Sequence, residues 1–175
     1  MDPIPSAVTT VTLPSDRELV ITRTFDAPRR LIFAALTQPE HVRRWAWTDP
    51  THLARWWSPK GFTNSVCEVD ARPGGAIFIV MRGPDGAEYS MKGVFREVVE
   101  PERLVMLASA LEDADGTPRL EVLNTVTFVE QEGATTLPLH TVVLKAGPDG
   151  AWALAGMAEG WGQSLDKLAD LLAGA

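Results

Sequence analysis

An apolar stripe near the C-terminus constrains the fold of this chain more than any other feature of the sequence. Beyond the turn-forming residues 147–150, apolar side chains recur three or four positions apart, at Met157, Trp161, Leu165, Leu168 and Leu172. This spacing predicts an amphipathic helix of roughly 20 residues, with charged and amide side chains on its other faces. Such a helix must bury its stripe against a partner of comparable size.

The partner is predicted by the β pattern between residues 61 and 144. Turns rich in Gly, Pro and Asp separate six candidate strands, at Phe62–Asp70, Ala76–Arg82, Glu88–Val99, Arg103–Ala110, Leu120–Glu130 and Thr135–Leu144. Because the connections are short, an antiparallel meander is favoured over a parallel sheet.

A further strand is predicted at Glu18–Phe25, and a helix after it with Asp26 as its N-cap and Pro28 in its first turn. The sequence therefore predicts an α+β domain in which a curved seven-stranded antiparallel sheet wraps around the long C-terminal helix. Two or three short helices are expected after the first strand. Residues 1–17 are expected to form a flexible lead-in, and residues 18–175 a single domain.

An internal duplication occupies the segment after the first predicted helix. Residues 37–47 and 48–58 align as two copies that share Thr, Pro, His, Arg and Trp at equivalent positions. Each copy opens with a capping residue and a proline, which predicts two short helices in succession. Two copies are too few for a solenoid.

Alternation along Glu88–Val99 assigns the faces of the central strand. Glu88, Lys92 and Arg96 share the parity that faces water, so the other parity, which includes Tyr89, Met91, Gly93 and Glu97, is expected to face the helix. Gly93 marks either a bulge or room near the backbone. An inward Glu97 is either a buried acid satisfied by N–H donors, a group that orients a ligand, or an acid–base catalyst.

Tryptophan and methionine side chains supply the candidate pocket walls. The chain has six tryptophans and five methionines, and both residue types serve equally in a packed core or around a ligand. The candidate ligand-binding residues are Trp56, Trp57, Ile79, Met81, Tyr89, Met91, Glu97, Met106, Asn124, Met157 and Trp161.

Composition and spacing exclude several classes of function. A net charge of −7 argues against nucleic acid, whose phosphates require Lys and Arg clusters. The three histidines and the single cysteine lack zinc spacing, so we expect no metal and no cofactor. With only Cys67 present, no intrachain disulfide can form, which favours a cytoplasmic location. No apolar run reaches the ~18 residues of a membrane span.

Several runs of the sequence resemble a known family. They include ELVITRTFDAPRRLIFAALTQPEH, DPTHLARWWSPKGFTNSVCEVDARPGGAIFIVMRGPDGAEYSMKGVFREVVEPERLV, NTVTFVEQEGATTL and AEGWGQSLDKLADLL. These runs, within residues 18–173, are similar to the activator-of-heat-shock-protein-ATPase homology family of the START-like (SRPBCC, pollen-allergen Bet v-like) helix-grip superfamily. The resemblance implies the topology derived above, around a hydrophobic cavity. This chain departs from the family in one respect. Such proteins usually have one copy of the Trp-containing segment, whereas this chain has two.

The resemblance and the inward residues together suggest a binding module. We expect a small hydrophobic ligand, such as a lipid, an aromatic or a polyketide-like compound, between sheet and helix. One alternative is a cavity-based acid–base enzyme of cyclase or dehydratase type, with Glu97 beside Tyr89 or Asn124 at its centre. Another is a protein-interaction or chaperone-associated module that uses Trp45 and Trp47, and a homodimer through the same patch stays open. In the eukaryotic cochaperone a second, N-terminal domain binds the chaperone, whereas here only the lead-in precedes residue 18.

Overall fold

The computed structural model describes residues 9–37, 56–112, 114–146 and 150–173, which form one antiparallel sheet and two helices. Most of the duplicated segment, including Trp45 and Trp47, therefore lies outside the described residues. The strands are β1 Thr10–Ser15, β2 Glu18–Phe25, β3 Thr63–Val69, β4 Ala76–Arg82, β5 Glu88–Val99, β6 Arg103–Glu112, β7 Pro118–Thr127, β8 Val129–Gln131 and β9 Ala134–Ala146.

Consecutive strands are neighbours through most of the sheet. The order is β1-β2-β9-β7-β6-β5-β4-β3, with β8 paired to β9, and every pairing is antiparallel. The predicted meander from β3 onward is therefore confirmed. Because β2 pairs with the last strand, the chain must cross the sheet between β2 and β3 to begin the meander at the opposite edge.

Two short strands raise the number of strands above the seven expected. Strand β1 lies in the segment for which the sequence predicts only a flexible lead-in, and it pairs with β2 through a tight turn. All of its residues are exposed, so it adds backbone hydrogen bonds but no core. The predicted strand Leu120–Glu130 is divided at Phe128, whose N–H donates to the carbonyl of Glu102 at 2.9 Å instead of to a neighbouring strand.

The two helices are α1, Arg29–Thr37, and α2, Gly150–Ala173. The carboxylate of Glu130 caps α1 by accepting from the Arg29 N–H at 2.7 Å, whereas Asp26, the predicted N-cap, is exposed. Local sequence favours Asp26, but β8 brings a carboxylate to the helix terminus from 101 positions away. Neither helix is both long and apolar enough over its described residues to span a membrane.

The core lies between α2 and one face of the sheet, which we call the inner face. Along β2, every second side chain is buried, and the same alternation continues through β7 and β9. Leu165 and Leu168 of α2 are 1% and 0% exposed and belong to the same buried cluster as Leu19 and Ile21. The prediction of a C-terminal helix packed on an antiparallel sheet is confirmed.

A charged side chain also faces inward, at Arg23 of β2. The residue is 6% exposed, and its Nη1 donates to Asp166 of α2 and, at 2.7 Å, to Thr9 Oγ1. Its Nε has no hydrogen-bond partner among the described residues. An arginine removed from water requires a counter-charge, so the ion pair fixes where α2 lies along β2.

Replacing Asp166 tests this attachment. We expect Asp166→Ala to lower the free energy of unfolding by about 1–3 kcal/mol, because Arg23 is left buried without its counter-charge. Asp170→Ala is the matched control, since Asp170 is an exposed carboxylate one turn further along the same helix. Urea unfolding measures both variants, and an equal loss of stability in the two would contradict the proposed role of the ion pair.

Candidate functional site

The strand register arranges the inner face in rows that cross the sheet. One row contains Leu19, Thr141, Asn124, Met106 and Phe95, which are directly opposite one another on β2, β9, β7, β6 and β5. We call it the polar row, because it contains a buried asparagine and a buried threonine.

The next row along β5 and β6 has small side chains at its centre. Gly93 is opposite Ala108, with Ile77 and Val122 beyond them, and we call these four residues the small row. The row beyond the small row contains Met91, which pairs with Ala110 and with Ile79. In the row after that, Tyr89 pairs with Met81. The inner face thus passes from the polar row through the small row to a methionine-rich edge.

The sheet brings most of the predicted site residues together. They form three cross-strand pairs, Ile79 with Met91, Met81 with Tyr89, and Met106 with Asn124. Ile79 and Met106 are buried, while Met81 and Met91 are partly exposed and pack against the core. Alternation alone was therefore sufficient to place these side chains on one face.

The predicted tryptophans form a cluster that connects α2 to the segment before β3. Trp57 lies between Trp56 and Trp161, with ring centroids 5.5 and 5.3 Å away. Trp56 is fully buried, and its indole N–H has no acceptor among the described residues.

Hydrogen bonds hold this segment against α2. The ammonium of Lys167 donates to the Ser58 carbonyl at 2.9 Å, and the Lys60 N–H donates to Gln163 Oε1 at 2.9 Å. Burial of the Lys167 ammonium lowers its pKa below the ordinary value. The aromatic cluster is thereby fixed to the helix at several points.

Burial decreases along the stripe of α2. Leu165 and Leu168 are sealed in the core, whereas Met157 and Trp161, earlier on the same helix face, are partly exposed. The sheet shows the same trend from the polar row to Met91 and then to Tyr89, which is 45% exposed. The structure therefore has a sealed end near Arg23 and, at the edge of Met81 and Tyr89, an accessible apolar end.

Glu97 does not face the helix, which corrects the prediction from alternation. Phe95 is opposite Met106 but Glu97 is opposite Val105, so Arg96 is an additional residue, a β-bulge, that reverses the parity of the strand. The Glu97 carboxylate forms a salt bridge with Arg103, whose Nε donates at 3.2 Å. This pair lies on the outer surface of the sheet and offers no inward acid.

Two other predictions for β5 are refined. Tyr89 has the inner-face parity but lies at the rim, with its ring centroid 6.1 Å from that of Phe62. Gly93 is not in a bulge, since the register is continuous from Met91 to Phe95. A Cβ at Gly93 would lie 2.9 Å from the carbonyl oxygen of Leu107, so glycine allows the two backbones to approach closely.

Sequence patterns did not predict the hydrogen-bonded pair at the centre of the polar row. Thr141 Oγ1 donates to Asn124 Oδ1 at 2.7 Å, and the two residues are 0% and 5% exposed. They also did not predict that Arg23 faces inward, although Arg23 has the same strand parity as Leu19, Ile21 and Phe25. That parity was the available clue, but charged residues are ordinarily assigned to the solvent side.

Cys67 lies opposite Ile79 and packs against the core from the inner face. Burial raises the pKa of its thiol to about 11, because a thiolate is poorly solvated there. The thiol is therefore protonated at neutral pH and is a poor nucleophile.

The geometry described above, an antiparallel sheet with a C-terminal helix packed on one face, is consistent with the helix-grip fold. The family model described as Activator of Hsp90 ATPase homolog 1-like protein matches residues 46–173. The chain belongs to this family.

Solved structures agree over nearly the whole chain. A Rhodobacter sphaeroides protein is 25% identical with a TM-score of 0.76, covering 96% of this chain and 100% of its own. A Mycobacterium smegmatis protein is 25% identical with a TM-score of 0.74, over 95% and 97% of the two chains. The AHSA1 protein from Silicibacter pomeroyi is 26% identical with a TM-score of 0.69, over 89% and 97%. No curated protein matches the sequence.

Alkylation of Cys67 tests its environment. We expect iodoacetamide to modify the folded protein slowly at pH 8 and faster only as the pH approaches about 11, because only the thiolate reacts. The chain unfolded in urea is the control, since its thiol should react with an ordinary pKa. Equal rates for folded and unfolded protein at pH 8 would contradict burial of this residue.

Proposed function

We propose that the protein binds a small hydrophobic molecule between α2 and the inner face of the sheet, at the accessible apolar end. The observation that carries the proposal is the uneven burial of a continuous apolar surface. Leu165 and Leu168 are covered completely, while Met157, Met91 and Met81 on the same two surfaces are partly exposed.

The residue types at this end suit a ligand of variable shape. Methionine side chains are flexible and polarisable, and tryptophan offers a rigid apolar wall. A bound molecule that covers these side chains gains about 25 cal/mol for each Å² of apolar surface removed from water. A lipid, an aromatic or a polyketide-like compound has the required surface, and a cytoplasmic location forms part of the same proposal.

The alternatives have less support. The acid–base hypothesis relied on an inward Glu97, and that carboxylate is paired with Arg103 on the outer surface. The interaction and homodimer hypotheses relied on Trp45 and Trp47, which lie outside the described residues. The family description refers to a chaperone ATPase activator, but no described contact favours a chaperone partner over a small molecule.

Binding of the fluorescent dye anilinonaphthalene sulfonate tests the proposal. We expect the folded protein to bind about one dye molecule, and methyl dodecanoate or a naphthyl ketone to displace it. Met91→Glu should weaken dye binding about tenfold or more, because it places a charge on the apolar surface. Leu144→Glu is the matched control, since Leu144 is 51% exposed at a bulge of β9.

Thermal unfolding distinguishes loss of binding from loss of folding in these variants. Met81→Glu, at the rim, provides a second substitution that disturbs the core less than Met91→Glu. The proposal is wrong if the wild-type protein binds neither the dye nor any member of a broad lipid and aromatic panel. It is also wrong if Leu144→Glu weakens binding as much as the two methionine variants.

A further inference from the structure

The carboxamide of Asn124 is oriented by its neighbour on β9. Because Thr141 Oγ1 donates to Asn124 Oδ1 at 2.7 Å, the carboxamide oxygen is occupied and the Nδ2 group points elsewhere. Asn124 is 5% exposed, so this amino group is largely removed from bulk water.

The Nδ2 group of Asn124 has no hydrogen-bond acceptor among the residues that the structure describes. Its neighbours across the row, Met106 and Phe95, are apolar, and so is Leu19 on the far side of Thr141. A ligand oxygen placed beside this amino group would accept a hydrogen bond from it. The side chain is thus a donor available to a bound molecule.

Small residues lie on the inner face between Asn124 and the accessible end. The adjacent row has Ala108 and Gly93 at its centre, and the row after it has Ala110 beside Met91. Gly93, Ala110 and Met91 are partly exposed although they belong to the inner face. Met91 is four residues along β5 from the polar row, a distance of about 13 Å. An elongated apolar molecule lying along this path would reach Asn124 with one end.

The charges around the polar row favour a neutral acceptor over a carboxylate. On β5, β6, β7 and β9 the rows on either side contain only uncharged residues, including Leu139 and Val126 on one side. Arg23 lies four residues from the polar row along β2, about 13 Å away, and is paired with Asp166. A buried carboxylate at Asn124 would therefore have no adjacent cation to compensate its desolvation.

We propose that the ligand is an apolar molecule with a neutral carbonyl group, a ketone, aldehyde or ester, whose oxygen accepts a hydrogen bond from Asn124 Nδ2. This inference rests on the proposed function, since it names the chemical class that the same site recognises. The apolar part of the ligand lies over Gly93 and Ala108 and extends toward Met91.

Three probes of similar shape test the carbonyl requirement. Methyl naphthyl ketone has the acceptor, ethylnaphthalene replaces its carbonyl with a methylene group, and naphthoate replaces the acetyl group with a carboxylate. By calorimetry, we expect the wild-type protein to bind the ketone about three- to tenfold more tightly than ethylnaphthalene. Naphthoate should bind more weakly than the ketone.

Removing the donor should abolish this preference. We expect Asn124→Leu to bind the ketone and ethylnaphthalene with equal affinity. The double variant Asn124→Leu/Thr141→Val replaces both partners of the buried pair with apolar groups. The same two probes are compared on the double variant if the single variant does not fold. Retention of the ketone preference in a folded variant would overturn the inference.

Nuclear magnetic resonance of the wild-type protein gives an independent measurement. The chain has two asparagines, Asn64 and Asn124, so ¹⁵N labelling of asparagine gives two side-chain amide signals, which Asn64→Ser distinguishes. The Asn124 signal should move with the ketone and much less with ethylnaphthalene. Equal affinity for these two probes, or tighter binding of naphthoate, would overturn the carbonyl assignment alone. Failure of all three probes to bind would instead contradict the proposed function.

Discussion

The ion pair between Arg23 and Asp166 joins two elements that are far apart in the sequence and adjacent in the fold. Arg23 belongs to β2, which pairs with the last strand of the meander. Asp166 belongs to α2, the helix that packs on β2. Since an arginine in this position needs a counter-charge, the ion pair favours one register of the helix on β2. That register places Leu165 and Leu168 in the core and leaves Met157 and Trp161 beyond it. The difference between the two ends of the inner face depends on this attachment.

The sealed and accessible ends have different chemistry. Near β2 the inner face consists of packed aliphatic side chains and of Arg23, whose charge is paired with Asp166. Toward β5 it combines small residues and methionines with the Asn124 carboxamide of β7, whose oxygen accepts a hydrogen bond from Thr141. An apolar surface with one oriented donor is the usual composition of a site for a small, mostly hydrophobic ligand. The family to which the chain belongs shares the fold, but fold alone does not define a ligand.

Periodicity was sufficient for the parts of the fold in which it is uninterrupted. The stripe of α2 and the alternation along β4, β6 and β7 indicated correctly which of their side chains share the inner face. Glu97 was misplaced because one additional residue, Arg96, reverses the strand parity, and local sequence does not reveal a bulge. Strand β1 was missed because its apolar alternation is limited to Val11 and Leu13, and both of its faces are exposed. The Asn124–Thr141 pair depends on the register between β7 and β9, which is long-range information that alternation within one strand does not contain.

The proposed site requires that an apolar molecule can enter between α2 and the small row. Xenon enters apolar cavities without requiring any polar partner, so a crystal of the protein under xenon pressure tests the claim directly. We predict a xenon atom above Gly93 and Ala108, bounded by Met91 and Ile77 of the sheet and by α2. A crystal in which side chains fill this space and no xenon binds there would contradict the account.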